Sequence, residues 1–373
     1  MTSTLSVVAE QLVSPVPGGI GRYTASLLPE LIAAAPAGWQ VEALVARHPE
    51  AAIAELEQRF PGLAGTRALP LPPRLMPELW RRGIPGTMPG GHVHATSSLA
   101  PLSHRSHTVV SLHDAVPWTH PETLTPHGAA WHRAMGERAA RFADGVAVLT
   151  QAVADQLAEV ADFGDRLHVV PPAVSPSLVL PSFADERAAA LGLPDEYILT
   201  VGTLEPRKAL GALIEAMASP AAPPLPLVVV GPPGWGGVSV ADAAARAGLA
   251  PDRVLPLGFL PDTDLAVAYD RATVFAFPSL AEGFGLPVLE AFSFGTPVVV
   301  SDDPALVEVA AGNALVVERA PAASYPERLA AGIRSLVDGP SDSADAIGAR
   351  RARAAEFTWS RTAAAVWQLH LPH

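Results

Sequence analysis

Short runs of β-branched and aliphatic residues alternate with longer helical stretches along almost the whole chain, and this alternation limits the fold more than any other feature. The series runs once through the first half of the chain and begins again in the second. Strand and helix units in series predict a parallel sheet covered by helices on both faces. Two series therefore predict an α/β protein with two Rossmann-like units.

The hydrophobic pattern predicts six strands in each half. They cover residues 5–9, 41–45, 92–95, 108–112, 145–149 and 167–170, and then residues 197–201, 227–230, 254–257, 273–277, 297–300 and 314–317. Helices are predicted at residues 127–142, 151–160, 326–337, 342–356 and 358–369. The proline-rich stretch 171–181 marks the boundary between a domain of residues 1–175 and a domain of residues 176–356, and residues 357–373 form a terminal helix.

Composition excludes several classes of function. Hydrophobic residues make up 49% of the chain and charged residues 17%, which is enough for two buried cores and argues against disorder. The formal net charge of −12 gives no general attraction to phosphates, so we expect no nucleic-acid partner. The absence of cysteine excludes disulfides and thiolate metal sites. Neither a leader nor a spanning segment is predicted, and we expect a cytoplasmic protein that at most contacts the inner face of a membrane.

The segment 277–290 joins a strand to a helix through a glycine-rich loop that carries two glutamates. Glu282 lies in the loop, and Glu290 lies about one turn into the helix. Gly283 and Gly285 allow a ligand to approach the backbone closely, and free N–H groups at the helix start bind phosphate. A glycine-rich surface turn with two solvated glutamates is the alternative, and the spacing alone does not decide between the two.

A second segment, 197–208, consists of a strand, a turn and two adjacent cations, Arg207 and Lys208, directly before a helix. Cations at a helix N-terminus oppose the helix dipole. A bound anion removes that conflict and accepts charge-assisted hydrogen bonds. A solvated basic pair is the alternative, but the position at a helix start favours an anion site.

These segments together resemble family 4 of the glycosyltransferases, a large retaining family with the GT-B fold of two Rossmann-like domains that face each other across a cleft. Residues 282–290 match the E-x7-E motif of the family, and residues 295–299 match the Gly-Thr-Pro-Val-Val strand that follows it. Residues 202–208 are similar to the family's Gly-x-Leu-x-x-x-Lys element. The family commonly has Asn or Gly after this lysine, and Ala209 of this chain puts the local turn in question. The resemblance also implies that the terminal helix crosses back to the first domain.

The resemblance implies a role for each matching residue. Glu282 holds hydroxyls of the donor sugar, and Glu290 holds those of the ribose. Arg207 and Lys208 bind the donor diphosphate and stabilise it as the glycosidic bond breaks, so neither a metal nor another cofactor is implied. The other positions implied in donor binding are Gly202, Gly283, Phe284, Gly285 and Leu286, together with Gly258, Phe259 and Leu260 at the nucleobase. For the last three positions, an ordinary turn capped by Asp262 is the alternative.

A glycine loop at residues 17–23 precedes the first long helix and suggests another anion site. A dinucleotide-binding fingerprint is the competing interpretation. Thr24 stands where its third glycine belongs, and eight residues, 10–17, separate the strand from the glycines where the fingerprint needs a tight turn. The loop, including Gly19, is similar instead to the family's N-terminal Gly-Gly element, which faces the diphosphate and the acceptor.

Histidines are frequent in the first half of the chain. His113 and Asp114 follow a strand and resemble the His-Asp element of the family, which implies that His113 lies beside the reacting sugar and orients it. A lone histidine is otherwise usually a packed or surface residue. His92 and His94 share one face of a strand, but no carboxylate or thiol stands at ligand spacing, so packing is favoured over a metal site.

Two further segments carry less information. Asp302 and Asp303 follow a strand without an evident partner and are interpreted as a polar loop. Residues 75–82 have an apolar and basic character that suits a lipid-linked acceptor or a membrane surface. Pro73 and Pro77 interrupt that stretch, and a plain loop is favoured there.

The reaction implied is transfer of a hexose, with retention of configuration, from a nucleotide-diphosphate sugar to a hydroxyl of a glycan, lipid-linked or small-molecule acceptor. The resemblance favours GDP-mannose as the donor, with a UDP-sugar close behind. Three alternatives stay open. An inverting GT-B enzyme or a sugar-nucleotide epimerase differs in the anomeric configuration of its product, and an oxidoreductase binds a nicotinamide or a flavin. A non-catalytic nucleotide-sugar-binding protein binds the donor without hydrolysis or transfer.

Overall fold

The computed structural model describes residues 2–14, 18–237, 239–340 and 343–371. The chain divides into two compact units. Unit 1 comprises Met1–Pro172 together with Thr358–His373, and unit 2 comprises Ala173–Phe357. The end of the chain therefore belongs to the same unit as its beginning.

Unit 1 is built on a parallel sheet of seven strands. The strands are β1 (Ser3–Val8), β2 (Trp39–Val45), β3 (Thr66–Ala68), β4 (Gly91–Ala95), β5 (Ser106–Leu112), β6 (Gly145–Val148) and β7 (Leu167–Val169). The helices within residues 1–172 are α1 (Gly18–Ala33), α2 (Glu50–Arg59), α3 (Met76–Arg81), α4 (Val116–Thr119), α5 (Pro126–Phe142) and α6 (Gln151–Val160). The strand order is β3-β2-β1-β4-β5-β6-β7.

Unit 2 repeats this plan with a parallel sheet of six strands. The strands are β8 (Ile198–Val201), β9 (Leu227–Val230), β10 (Val254–Gly258), β11 (Val274–Phe277), β12 (Val298–Ser301) and β13 (Leu315–Val317). The helices are α7 (Ala184–Leu191), α8 (Leu210–Ala218), α9 (Val240–Arg246), α10 (Asp262–Arg271), α11 (Leu286–Phe294), α12 (Pro304–Ala310), α13 (Tyr325–Asp338) and α14 (Ala344–Ala355). The strand order is β10-β9-β8-β11-β12-β13. Helix α15 (Trp359–His370) then follows in unit 1.

The short apolar strands of unit 2 are buried on both faces of its sheet. Every residue of β9, β11 and β12 is buried, because helices cover the sheet on either side. In unit 1, the last helix packs on the first: Trp367 donates its indole N–H to the Leu31 carbonyl at 3.0 Å. The prediction of two parallel α/β sheets is therefore confirmed.

The chain order reverses at one point in each sheet. β1 lies beside β4 in unit 1, and β8 lies beside β11 in unit 2. In open α/β sheets the loops at such a switch point diverge, and they leave a crevice beyond the carboxyl ends of the two strands. The residues that follow β8 and β11 are therefore the first place to look for a ligand site in unit 2.

The differences from the predicted elements are local. Strand β3 was not predicted; it has only three residues and lies at the edge of the sheet. The prediction of a loop around residue 77 is wrong, because Pro77 lies in the first turn of α3. Proline is tolerated there, since the backbone N–H that it lacks would have no partner within the helix. Asp342, in the predicted helix 342–356, lies outside the described residues, as does Pro17 of the glycine loop.

Candidate functional site

The loops that follow β8 and β11 meet at the switch point of unit 2. After β8, residues Pro206–Lys208 form a single 3₁₀ turn directly before α8. After β11, the chain passes through residues 278–285 into α11. The two loops are joined by a backbone hydrogen bond from the Leu280 N–H to the Arg207 carbonyl at 2.8 Å. This contact holds the two motifs side by side.

Two cations and two carboxylates form an ion cluster where these loops meet, and we call Glu205, Arg207, Lys208 and Glu282 the ion cluster from here on. Lys208 Nζ lies 2.5 Å from Glu282 Oε1, and Arg207 Nη1 lies 2.9 Å from Glu282 Oε2. Arg207 Nη2 also contacts Glu205 Oε1 at 2.6 Å. The structure thus brings together three of the four residues predicted as catalytic, although Lys208 and Glu282 are 74 residues apart in the chain.

The ion cluster is largely shielded from solvent. Burial by itself raises the pKa of Glu282, but the adjacent Arg207 and Lys208 charges outweigh it and lower that pKa to about 2. Burial lowers the pKa of Lys208, an effect that Glu282 opposes. The carboxylate is therefore ionised at neutral pH, and it offsets the repulsion between the cations and the start of α8. An anionic ligand at this position has to exchange with a carboxylate that the protein itself supplies.

Lys208 is the only lysine in the chain; every other member of its 25 lysines and arginines is an arginine. Its Nζ also lies over the Phe277 ring, 4.9 Å from the ring centroid. A compact ammonium group on a flexible stem presents its charge differently from a planar guanidinium. The use of lysine at this one position could have indicated Lys208 from the sequence, and the motif comparison did not use it. Glu205, two residues before Arg207, was also missed.

The backbone at Gly202 has little room around it. A side chain on Gly231, which follows β9, would place its Cβ 1.9 Å from the Gly202 carbonyl oxygen. A Cβ on Gly202 itself would lie 3.6 Å from the stem of Lys208. Glycine at position 231 therefore lets the loops after β8 and β9 pack tightly beside the ion cluster, whereas a Cβ on Gly202 would make only an ordinary van der Waals contact.

Helix α11 is preceded by Gly285, which no other residue can replace without strain. Gly285 has φ +91°, and a Cβ there would lie 2.4 Å from Leu306 Cδ2. Phe284 is buried and packs edge-on against Phe357, with ring centroids 5.4 Å apart. Leu286 is the first residue of the helix, and Gly283 is buried in the loop before it. The predicted helix end is confirmed at Gly295, which has φ +82°.

Glu290 occupies a different environment from Glu282. It is 3% exposed in the middle of α11, and its Oε2 accepts a hydrogen bond from the Tyr269 hydroxyl at 2.8 Å. Tyr269 belongs to α10, so the carboxylate of Glu290 also ties two neighbouring helices together. Its proposed contact with ribose stays a prediction.

The loop expected at the nucleobase follows β10. Gly258 has φ +69°, Leu260 is buried, and the Phe259 side chain is 71% exposed. The N-cap position of α10 is occupied by Pro261 and not by Asp262, which is the first residue of the helix. The Asp262 carboxylate accepts from the Ser175 hydroxyl at 3.2 Å.

In unit 1, His113 follows β5 near the switch point of that sheet. Its Nε2 lies 2.7 Å from the Thr96 carbonyl oxygen. Since a carbonyl can only accept, Nε2 carries the proton, and Nδ1 keeps a free lone pair. Burial lowers the pKa of His113, so the imidazole is neutral at pH 7. The Tyr23 ring packs edge-on against it, with centroids 4.9 Å apart.

Thr96, which the sequence analysis missed, organises this part of unit 1. Its hydroxyl accepts from Thr24 at 2.8 Å and donates to the Val8 carbonyl at 3.1 Å. Thr24 is the residue that replaces the third glycine of the dinucleotide fingerprint, and it serves to anchor α1 on the sheet. Gly19 lies exposed in the first turn of α1, with open space where a Cβ would be.

Two interpretations of other segments are corrected. Asp302 does have a partner, since Arg319 Nε lies 2.5 Å from its Oδ1. Asp303 is no polar loop residue: it is 2% exposed and caps α12 by accepting from the Leu306 N–H at 3.2 Å. Burial, and secondarily the charge of Glu282, raise the pKa of Asp303 to about 6.

The apolar and basic surface suggested at residues 75–82 is not a continuous patch, because Leu75 is the only exposed apolar side chain in that stretch, all of which the structure describes. Met76 and Trp80 are fully buried in the core of unit 1. The charges of Arg81 and Arg82 both pair with Glu78, each at 2.6 Å. No membrane contact follows from these residues. Among the described helices, none combines the length and apolar character that crossing a bilayer requires.

Two family models match the chain, one on each unit. The model described as "Glycosyltransferase Family 4" matches residues 17–178, and the model described as "Glycosyl transferases group 1" matches residues 183–353. A D-inositol 3-phosphate glycosyltransferase of Nocardia farcinica is 30% identical over an alignment that covers 99% of this chain and 90% of that protein. The chain belongs to glycosyltransferase family 4.

Further relatives of this family 4 glycosyltransferase match it over part of their length. The serotype-specific mannosyltransferase WbdA of Escherichia coli is 34% identical over 178 residues, which are 45% of this chain and 22% of WbdA. The chain thus spans about a fifth of that relative's length.

HepE of Anabaena, solved with UDP and glucose, superimposes with a TM-score of 0.73 at 19% identity, covering 98% of each chain. This likeness shows the shared GT-B fold.

Proposed function

We propose that the chain transfers a hexose from a nucleotide-diphosphate sugar to a hydroxyl of a glycan, lipid-linked or small-molecule acceptor, with retention of configuration. The observation that carries this proposal is the convergence of Arg207 and Lys208 on Glu282 at the switch point of unit 2. Ligands of open α/β sheets bind at such points. Half-buried cations beside a helix start are suited to a diphosphate.

In this proposal, the diphosphate takes over the hydrogen bonds that Lys208 and Arg207 make to Glu282. Phosphate oxygens accept the same charge-assisted hydrogen bonds as a carboxylate. The displaced carboxylate of Glu282 is then available to accept hydrogen bonds from hydroxyls of the donor sugar. The cations stabilise the negative charge that develops on the departing nucleotide.

The bond between the anomeric carbon and the diphosphate oxygen breaks, and a bond from that carbon to the acceptor oxygen forms on the same face of the sugar. The proton of the acceptor hydroxyl passes to an oxygen of the leaving phosphate. No protein nucleophile is assigned. His113 orients a sugar hydroxyl through the lone pair on Nδ1, because its Nε2–H is engaged by Thr96.

Among donors, we propose GDP-mannose first, because the curated relatives include mannosyltransferases such as WbdA. UDP-sugars come second, because HepE was solved with UDP. A panel of nucleotide sugars, each tested for a rise in melting temperature, separates the two, since a ligand that binds only the native state raises its stability.

Transfer itself tests the proposal. With the donor that the panel selects, we expect Lys208→Ala to lower kcat by roughly 100-fold or more, because it removes a charge that stabilises the leaving group. Arg246→Ala, an exposed cation at the end of α9 in the same unit, is the matched control and retains activity. NMR of the product reports its anomeric configuration. An inverted product, or unchanged turnover in a folded Lys208→Ala variant, refutes the mechanism.

A further inference from the structure

Three histidines from three separate elements of unit 1 converge at the end of the sheet opposite His113. His92 and His107 are directly paired residues at the starts of the neighbouring strands β4 and β5. His370 is the last residue of α15. One ring nitrogen of each of the three lies within 4.8 Å of those of the other two.

Hydrogen bonding leaves buried nitrogens in this group without partners. His92 Nδ1 and His370 Nδ1 are both buried and have no hydrogen-bond partner, and the same is true of Nε2 of the adjacent His94. A buried polar atom without a hydrogen-bond partner destabilises the folded state. Packing alone gives no reason to gather several such atoms in one place, whereas a shared ligand does.

The His107 ring is oriented in the way that is usual for a metal-binding histidine. His107 Nε2 lies 2.9 Å from the Leu369 carbonyl oxygen, so that nitrogen carries the proton and Nδ1 carries the lone pair. Histidines that bind metals usually donate their second ring N–H to a carbonyl or a carboxylate in this way. Asp144 Oδ1 lies 3.8 Å from His107 Nδ1 and places a negative charge beside the group.

Burial favours the neutral form of two of the three rings, those of His92 and His370. Burial lowers the pKa of His92 and lowers that of His370 well below its ordinary value. Neutral imidazole is the form that binds a metal. Trp39 packs edge-on against His92, with centroids 4.8 Å apart, and contacts Trp367 of α15 on its other side, at 5.5 Å.

We propose that His92, His107 and His370 bind one divalent transition-metal ion, of which Zn²⁺ is the best match. Imidazole nitrogens suit this class of ion, and three of them with an open fourth position are a common zinc set. Nitrogens bound tetrahedrally to zinc lie about 3.4 Å apart, so the rings move together slightly on binding. The ion ties the end of α15 to β4 and β5, at the end of the unit 1 sheet opposite His113.

The test uses the full chain without an affinity tag, stripped of metal with EDTA. Titration with Co²⁺ is expected to produce visible d–d absorption that saturates at one ion per chain and is abolished by Zn²⁺. Added Zn²⁺ is expected to raise the melting temperature. His92→Gln is expected to weaken Zn²⁺ binding by at least about 10-fold. His127→Gln, an exposed histidine on α5, is the matched control and leaves affinity unchanged.

Circular dichroism checks that each variant is folded, and His107→Gln replaces His92→Gln if the latter is not. The absence of saturable Co²⁺ absorption in the wild-type chain overturns the proposal. So does equal Zn²⁺ affinity in the wild type and in a folded ligand variant, because binding then occurs elsewhere. Neither outcome bears on transfer activity, so this proposal and the proposed function fail independently.

Discussion

At the level of single residues, charge pairing decides how the ion cluster is organised. Arg207 and Lys208 stand at the start of α8, where the helix dipole disfavours positive charge. Glu205 and Glu282 compensate for them, at contact distances of 2.5–2.9 Å. The sequence motifs singled out Arg207, Lys208 and Glu282 but did not predict this pairing, because nothing local in the chain brings residue 282 to residue 208.

The residue after the lysine is strained. Ala209 has φ +51° and ψ +31°, in the left-handed region that costs a non-glycine residue about 1–2 kcal/mol. Ala209→Gly removes that cost from the folded state. Part of the stability gained is offset, because glycine also increases the conformational entropy of the unfolded chain. We therefore expect the free energy of unfolding to rise by about 0.5–1 kcal/mol, as measured by urea denaturation.

Ala212→Gly, inside α8, is the control for this substitution, because glycine destabilises a helix interior by about 0.5–1 kcal/mol relative to alanine. If Ala209→Gly destabilises the protein as Ala212→Gly does, the left-handed turn is not present in solution. The Asn or Gly common in the family at this position is explained by the same backbone conformation.

The buried carboxyl of Asp303 predicts a pH dependence. Its pKa of about 6 in the folded chain lies above the ordinary value of 3.8, so the folded state holds the proton more tightly. The stability that this group contributes is complete below pH 4 and is lost as the pH rises through 6. Asp303→Asn keeps a neutral helix cap. We expect the variant to match the wild type at pH 4 and to exceed it at pH 7, by about 1–3 kcal/mol.

Urea denaturation at pH 4, 5, 6 and 7 measures this difference. Asp252→Asn, at an exposed carboxyl of the same unit, controls for the loss of one negative charge. A difference between Asp303→Asn and the wild type that stays constant over this pH range contradicts the raised pKa.

At the level of elements, hydrophobic periodicity was sufficient for every strand except β3, whereas it did not locate several helices, among them α2, α7 and α9. The predicted strand 227–230 and helix 151–160 coincide with β9 and α6. The runs are short and wholly apolar, as buried parallel strands require. Strand β3 escaped prediction because its three residues carry no apolar pattern: one is half-buried and two are exposed.

The start of α11 gives the prediction at this scale. Gly285→Ala forces a Cβ into Leu306 at a position with φ +91°. We expect a loss of about 2–4 kcal/mol in the free energy of unfolding, together with weakened nucleotide binding. Gly211→Ala, on the exposed face of α8 with open space around it, is the matched control and stabilises the helix. Equal stability of the two variants contradicts the geometry described for this loop.

At the level of the whole molecule, the sequence predicted two parallel α/β units and the family. It favoured packing over a metal site at His92, and it did not group His92 with His107 and His370. Motif and periodicity arguments see only neighbours along the chain. His92 and His370 are 278 residues apart and meet only because α15 returns to the first unit. The order of the strands within each sheet could not be predicted from the sequence either. The pairing of β8 with β11, which creates the switch point, is therefore known only from the structure.

The net charge of −12 gives the molecule no general affinity for a polyanion, so nucleotide binding depends on the few cations placed locally. Calorimetric titration of GDP and UDP into the wild type, Lys208→Ala and Arg246→Ala measures this dependence directly. We predict that one of the two nucleotides binds the wild type and Arg246→Ala at one site per chain, and binds Lys208→Ala about 10- to 100-fold more weakly. Equal affinity in all three proteins, or no binding of either nucleotide to the wild type, contradicts a diphosphate site at the ion cluster.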